Sequence, residues 1–163
     1  LQIIYLIGFM GSGKTTVGRA LSEAMQEQAV DIDVEIESRL GKKIVDIFQD
    51  EGECGFRIHE TATLRSLQHI PIISTGGGIV ERQENITYMK ETGVIVYLKA
   101  SYELIAKRLS GDSSRPLWQG NQEKRALYQR RITMYAACAD VTVDCNKLTL
   151  EEQVDFILSQ VKV

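Results

Sequence analysis

Nine consecutive residues, Gly8-Phe9-Met10-Gly11-Ser12-Gly13-Lys14-Thr15-Thr16, combine glycines, a lysine and hydroxyls at the spacing of a phosphate-binding loop, or P-loop. Polyphosphate oxygens approach a backbone closely only where side chains are absent. The amide N–H groups of Gly11, Ser12, Gly13, Lys14, Thr15 and Thr16 can then converge on them. A helix opening near Lys14 adds the partial positive charge of its N-terminus. Lys14 itself reaches the outer phosphates as a flexible point charge, and the Thr15 hydroxyl suits magnesium. A glycine-rich turn that binds nothing would need neither all these positions nor their flanks. The apolar run Ile3 to Ile7 leads in, and the helix-compatible Val17, Ala20, Leu21 and Ala24 follow. The motif leaves open which nucleotide is bound and what accepts the phosphate.

Asp31 and Asp33 flank Ile32 at the end of a second short apolar segment. Alternation along a strand would send both carboxylates the same way, and their repulsion is relieved by a magnesium ion or a substrate hydroxyl beside them. A solvated turn, with Asp33 capping the next helix, fits the same two residues. Neither the third nor the fourth predicted strand ends in an acid, so Asp31 is the nearest candidate for the magnesium-holding aspartate of a P-loop enzyme. Thr75-Gly76-Gly77-Gly78 holds more glycine than a turn needs and would let a ligand lie against the backbone. Arg57 and Arg131 sit on separate helical stretches and are by default solvated. Facing one cleft, their guanidinium groups would select an acidic substrate by paired hydrogen bonds.

The elements that must position these groups alternate. Strands are predicted at Ile3 to Ile7, Ala29 to Ile32, Pro71 to Ser74, Val94 to Lys99 and Val141 to Val143. Helices are predicted after the P-loop, at Val34 to Leu40 before Gly41, at Val45 to Phe48 and at Glu53 to Gln68. Four more follow at Glu81 to Glu91, at Ser101 to Leu109 with Ser101 as cap, at Gln122 to Ala137, and after a Thr149/Glu152 capping box. Leu150, Val154, Leu158 and Val161 give the last helix an apolar stripe, and Leu127, Arg131 and Tyr135 share one face of the helix before it. Five strands separated by helices imply a parallel sheet covered on both faces, with ligands at the carboxyl ends of the strands. The P-loop, Asp31, Asp33 and the triple glycine all follow strands.

The 163 residues suffice for one domain with its own core, and no repeat or linker divides them. A net charge of −3 and a pI near 5.5 argue against a general nucleic-acid or acidic-membrane binder. No apolar run approaches the roughly 20 residues that span a bilayer. Three cysteines, Cys54, Cys138 and Cys145, lack metal-ligand spacing and suit a reducing cytoplasm as small apolar side chains. The first apolar run reads as a core strand rather than a signal peptide, and the start at Leu1 leads us to expect a missing preceding segment. Between Lys107 and Arg131 seven basic residues face only Asp112 and Glu123, enough cations for a highly charged small ligand.

Taken together, GFMGSGKTT at Gly8 to Thr16, Asp31-Ile32-Asp33, Gly55-Phe56-Arg57, Thr75-Gly76-Gly77-Gly78, Arg115-Pro116-Leu117 and Arg131 four residues before Tyr135 resemble the shikimate kinase family. The resemblance spans nearly the whole chain. It implies an adenylate-kinase-like, three-layer α/β/α fold with a five-stranded parallel sheet in order 2-3-1-4-5, one P-loop kinase domain over 1–163, and a lid at about 111–122. It implies ATP-dependent phosphorylation of shikimate to shikimate 3-phosphate by a cytoplasmic monomer. Carried over by position, Asp33 would hold the shikimate hydroxyls and act as base. Arg57, Arg131, Gly77 and Gly78 would bind the carboxylate and ring, and Thr15 with Asp31 would hold Mg2+. Gly11 to Thr16 and Arg108 would bind ATP, with Arg108 packed on the adenine, while Lys14 and Arg115 would share the charge on the transferred phosphoryl group. Thr133 stands where the family often has proline, and Trp118 where an aliphatic residue is common. The nearest rival is another small-metabolite kinase, such as a gluconate kinase, and a neutral or purely polyol substrate would not need the two arginines. A guanine-nucleotide switch would need Asn-Lys-x-Asp, which Asn146-Lys147-Leu148 approaches but Thr149 breaks, and no Asp-x-x-Gly occurs. A catalytically silent nucleotide-binding module would have no use for the acceptor-side residues.

Overall fold

Residues Ile3–Ile7 form strand β1, and every one of them is buried, at 6% exposure or less. A strand buried at each position must be covered on both faces, which explains a continuous apolar run in place of alternation. The structure, a computed structural model, describes residues 2–110 and 122–161. Within it β1 is the centre of a five-stranded sheet of order β2-β3-β1-β4-β5, with β2 at Ala29–Asp31, β3 at Ile72–Ser74, β4 at Gly93–Lys99 and β5 at Val141–Asp144. Each pairing is parallel. Helix α1 (Lys14–Met25) packs on β1, β2 and β3 and against α7 (Leu150–Gln160), which also covers β5. Helices α4 (Gln83–Thr92) and α6 (Gln122–Cys138) pack on β4. Helices α2 (Ile32–Leu40), α3 (Ile44–Ser66) and α5 (Tyr102–Ser110) complete the chain.

Register makes one edge of the sheet functional. Ser74 lies opposite Leu6 on one side and Asp31 on the other, so β1, β2 and β3 end level with one another. The segments that leave them, the P-loop, Asp31 to Asp33 and the triple glycine, therefore emerge side by side.

The helix starts follow local chemistry. Ser101 Oγ accepts from the Leu104 amide at 3.1 Å. Thr149 Oγ1 accepts from the Glu152 amide at 3.2 Å while Glu152 Oε1 accepts from the Thr149 amide at 2.9 Å, a complete capping box worth about 1 kcal/mol. Gly41 ends α2 in the left-handed conformation. Thr133 leaves α6 unbroken where a proline would remove a backbone donor, and its hydroxyl donates to the Arg130 carbonyl at 2.9 Å.

One expectation is met in detail and three need correction. The stretches expected as separate helices before and after Glu53 are two helical segments, taken together here as α3 and parted by a kink at Gly52, whose φ of 73° and ψ of −179° are accessible essentially to glycine alone. Across that bend the rings of Phe48 and Phe56 stack 4.6 Å apart. Glu81 closes a separate 3-10 turn (Ile79–Glu81) and is not part of α4. Leu150 is 42% exposed and stands outside the buried stripe, because as first residue of α7 it faces the open cleft described below. Cys54 is exposed, whereas Cys138 and Cys145 are buried.

Candidate active site

The P-loop wraps the mouth of β1 and hands the chain to α1. Gly13, at φ 105°, is the residue before the helix, a conformation that leaves the first helical amides pointing outward. Lys14 folds back so that its Nζ donates to the carbonyls of Gly8 at 2.6 Å and Phe9 at 3.1 Å. Burial lowers its pKa to about 8, partly offset by the charges of Asp33 and Asp31. Ser12 Oγ is buried with no hydrogen-bond partner among the described residues, a polar atom left over in a loop shaped for an anion. The loop opens onto a cleft of about 700 Å3 that also takes in Asp31, Asp33, Arg108 and the Leu148 to Leu150 segment. Arg108 donates from Nη1 to the Gly11 carbonyl at 3.0 Å, so this arginine braces the P-loop.

Asp31 and Asp33 divide the two roles that the sequence left open. Asp31 is the cap of α2, accepting from the Val34 amide through Oδ1 at 3.2 Å, and its Oδ2 accepts from Thr15 Oγ1 at 2.7 Å. Asp33 is therefore not the cap. It sits in the first turn of α2 rather than on a strand, and its Oδ1 is buried without a partner among the described residues. Burial, with the charge of Asp31 adding to it, raises the pKa of Asp33 against the opposing pull of Lys14 and Arg57. Thr15 and Asp31 supply a hydroxyl and a carboxylate at the loop, hard oxygen donors that suit Mg2+, which keeps several waters and takes phosphate oxygens.

A second cavity, of about 350 Å3, shares Met10, Asp33, Gly76 and Gly77 with the first and is otherwise lined from α3 and α6, including Phe48, Phe56, Arg57, Glu60 and Arg131, and by Gly78 and Glu81. Its charges are locked in place. Arg57 Nη1 donates to Glu60 Oε1 at 2.9 Å, and Glu53 lies 3.4 Å from its other nitrogens. Glu60 is fully buried, and burial raises its pKa against the Arg57 charge. Arg131 Nε donates to Glu81 Oε2 at 3.0 Å, and Arg130 Nη2 donates to Glu81 Oε1 at 2.6 Å. Tyr135 donates its hydroxyl proton to the Gly77 carbonyl at 2.6 Å and so ties the glycine loop to α6.

The three glycines each make room for a charged side chain. A Cβ on Gly76 would stand 2.9 Å from Asp33 Oδ1 and 3.0 Å from Glu60 Oε2. On Gly77 it would meet Arg131 Nη1 at 3.4 Å, and on Gly78 it would run into Arg57, with Cζ at 2.5 Å. None of the three has positive φ, so close approach rather than turn geometry accounts for them. Glu60 and Glu81 were not singled out from the sequence as site residues. For Glu60 the signal was its spacing of three from Arg57 on one helix face, whereas Glu81 meets Arg131 across fifty positions with no local sign.

The structure thus brings together Gly11 to Thr16, Asp31, Asp33, Arg57, Gly77, Gly78, Arg108 and Arg131 on two joined cavities. Arg115, Trp118 and all but the last residue of the expected lid, 111–122, lie outside the described residues. Asn146 is engaged elsewhere: its side chain accepts from the Ser101 amide at 2.8 Å and donates to Ser101 Oγ at 2.9 Å. No helix among the described residues is long and apolar enough to cross a membrane.

A family model described as shikimate kinase matches residues 10–162. A shikimate kinase from Bacillus cereus strain G9842 is 52% identical over 120 residues, 73% of each chain. One from Bacillus mycoides is 40% identical over 173 aligned residues that cover 99% of this chain and 97% of its own. The structure of shikimate kinase from Acinetobacter baumannii in complex with shikimate superposes with a TM-score of 0.87 at 38% identity, covering 98% of this chain and 92% of that one. A gluconokinase from Sinorhizobium meliloti has the same fold, with a TM-score of 0.60 at 19% identity over 98% of this chain and 90% of that one.

Proposed function

The chain belongs to the shikimate kinase family, and from that premise we propose how its residues share the transfer of the γ-phosphoryl group of ATP to the 3-hydroxyl of shikimate. The products are ADP and shikimate 3-phosphate, on the route to chorismate and the aromatic amino acids. One observation carries the assignment of halves: two cavities meet at Asp33, Gly76 and Gly77, one lined by the P-loop and the other by two arginines.

ATP occupies the larger cleft, its phosphates on the amides of Gly11 to Thr16 and its base toward Arg108 and Leu148 to Leu150. Shikimate occupies the smaller one. Its carboxylate meets Arg57 and Arg131, and its ring lies between Gly77 and Gly78 on one side and the stacked Phe48 and Phe56 pair on the other. Asp33, at the junction, accepts the proton of the 3-hydroxyl as that oxygen bonds to the γ-phosphorus and the bond to the ADP oxygen breaks. A buried carboxylate oxygen with no partner among the described residues suits that hydroxyl, and a pKa raised by burial makes it a better base. Lys14 moves from its loop carbonyls onto the phosphates, where its charge is worth most in a site closed to water. Thr15 and Asp31 would hold Mg2+, which neutralises charge on the phosphate oxygens. For Arg115 the resemblance supports a further cation on the transferred group. Positioning and charge neutralisation supply most of the rate, as expected for phosphoryl transfer.

The test is ADP release measured with shikimate, with gluconate and with no acceptor. Release well above the acceptor-free rate only with shikimate is the expected result. Equal rates in all three would overturn the assignment.

A further inference from the structure

Arg57 draws its main partner, Glu60, from its own helix, but Arg131 is held by a residue of another element. Glu81 closes the 3-10 turn that continues directly from the triple glycine. Its side chain is 10% exposed, that of Arg131 8%, and that of Arg130 63%. From this arrangement we infer that Glu81 is a positioning residue for the acceptor: it holds the Nε edge of Arg131 so that the terminal nitrogens are presented to the substrate carboxylate. The inference rests on the reading of Arg131 as a carboxylate-binding arginine.

A guanidinium is a planar fork of five N–H donors, and a partner on Nε leaves the two terminal nitrogens for another anion. Glu81 Oε2 takes Nε at 3.0 Å, while Nη1 points to the glycine loop, 3.4 Å from where a Cβ of Gly77 would be. Glu81 also lines the acceptor cavity, but it takes only the Nε edge of Arg131; the terminal end lies by Gly77 and the Tyr135 hydroxyl, a neutral group that leaves its charge uncancelled. An unsupported arginine would spend several rotamers to reach one productive pose, and a nearly buried carboxylate removes that freedom before the substrate arrives.

Charge requires the third member. Glu81 against Arg131 alone would cancel the attraction for an anionic acceptor. Arg130, on the other oxygen at 2.6 Å, leaves the trio with one net positive charge while keeping Glu81 bonded on both oxygens. The opposite reading treats Glu81 as a resident competitor that the substrate must displace, and it predicts the opposite sign.

The experiment measures shikimate binding by isothermal titration calorimetry, together with kcat and the two Michaelis constants, for Glu81→Ala, Arg131→Ala and the double variant. Glu81→Ala is expected to weaken shikimate binding about 10-fold, the size of one lost charge-assisted hydrogen bond, with kcat and the ATP constant within about twofold. In the Arg131→Ala background the same change should cost nothing further, because Glu81 acts through that arginine. Tighter or unchanged shikimate binding in Glu81→Ala, or a second full loss in the double variant, would overturn the inference. Unchanged binding in Arg131→Ala alone would instead remove the reading on which it rests. Should Glu81→Ala fail to fold, the isosteric Glu81→Gln is put through the same cycle, with a smaller loss of the same sign expected.

Discussion

The donor cleft takes its phosphate-facing groups from residues 8–16, one unbroken stretch, and most of them are backbone amides. The acceptor pocket gathers side chains from α2, α3, α6 and the loop after β3, and its arginines arrive already paired with carboxylates. A backbone cradle recognises any polyphosphate, because amides have no sequence of their own. Specific recognition of a small acid needs charges fixed in direction, and on the proposed reading the ion pairs of Glu60 and Glu81 would supply that. In one half glycine exposes amides to the ligand, and in the other it vacates space for charged side chains.

The widest test of that contrast is Lys14→Ala, which should lower turnover by about 10³-fold while ATP still binds, since the amide nest survives. Loss of ATP binding in step with turnover would mean that the lysine, not the backbone, holds the nucleotide. Asp33→Asn keeps the shape but cannot take a proton, so kcat should fall about 10²-fold or more with little change in the ATP Michaelis constant. Retained turnover would remove Asp33 as base. Gly78→Ala probes the acceptor half alone: its Cβ would collide with the Arg57 guanidinium, so the shikimate constant should rise about 10-fold and the ATP constant stay where it is. The smallest effect is on pH dependence. Burial raises the Asp33 pKa above 3.8, and the protonated form cannot act as base, so activity is lost as pH falls through the raised value. The acidic limb of kcat/KM for shikimate should therefore lie above the range of an exposed aspartate. A limb at the exposed value would show that the carboxylate is not desolvated.

The same contrast governs what could be read from the chain. The donor half is contiguous, so its residue types and spacing were legible at once, and so were the Thr149/Glu152 capping box and the interruption of α3 before Glu53. In the acceptor half Asp33, Arg57, Arg131 and the glycines stood out by residue type, with solvated, capping or turn readings left open, and the whole-chain resemblance supplied their roles. Their reasons were not legible, because they are reasons of contact. Nothing local says that Gly78 is small for the sake of Arg57, twenty-one residues earlier, or that Glu81 serves Arg131. The division of labour between Asp31 and Asp33 was ambiguous for a similar cause: one residue decides whether a strand's alternation or a helix's first turn governs where a side chain points. The strand ends at Asp31, and that boundary gave the cap to Asp31 and left Asp33 for the cavity.

Gly52 deserves a different measure from the other glycines. A Cβ there would have nothing within 4 Å, so the position matters for its torsion and not for space. On a straight helix Phe48 and Phe56, eight residues apart, would be separated by about 12 Å along the axis. The bend folds that length away until the rings lie 4.6 Å apart, and both belong to the wall of the acceptor cavity. The bore of that cavity is thus written in the backbone torsions of one residue, at a position where a side chain would meet nothing.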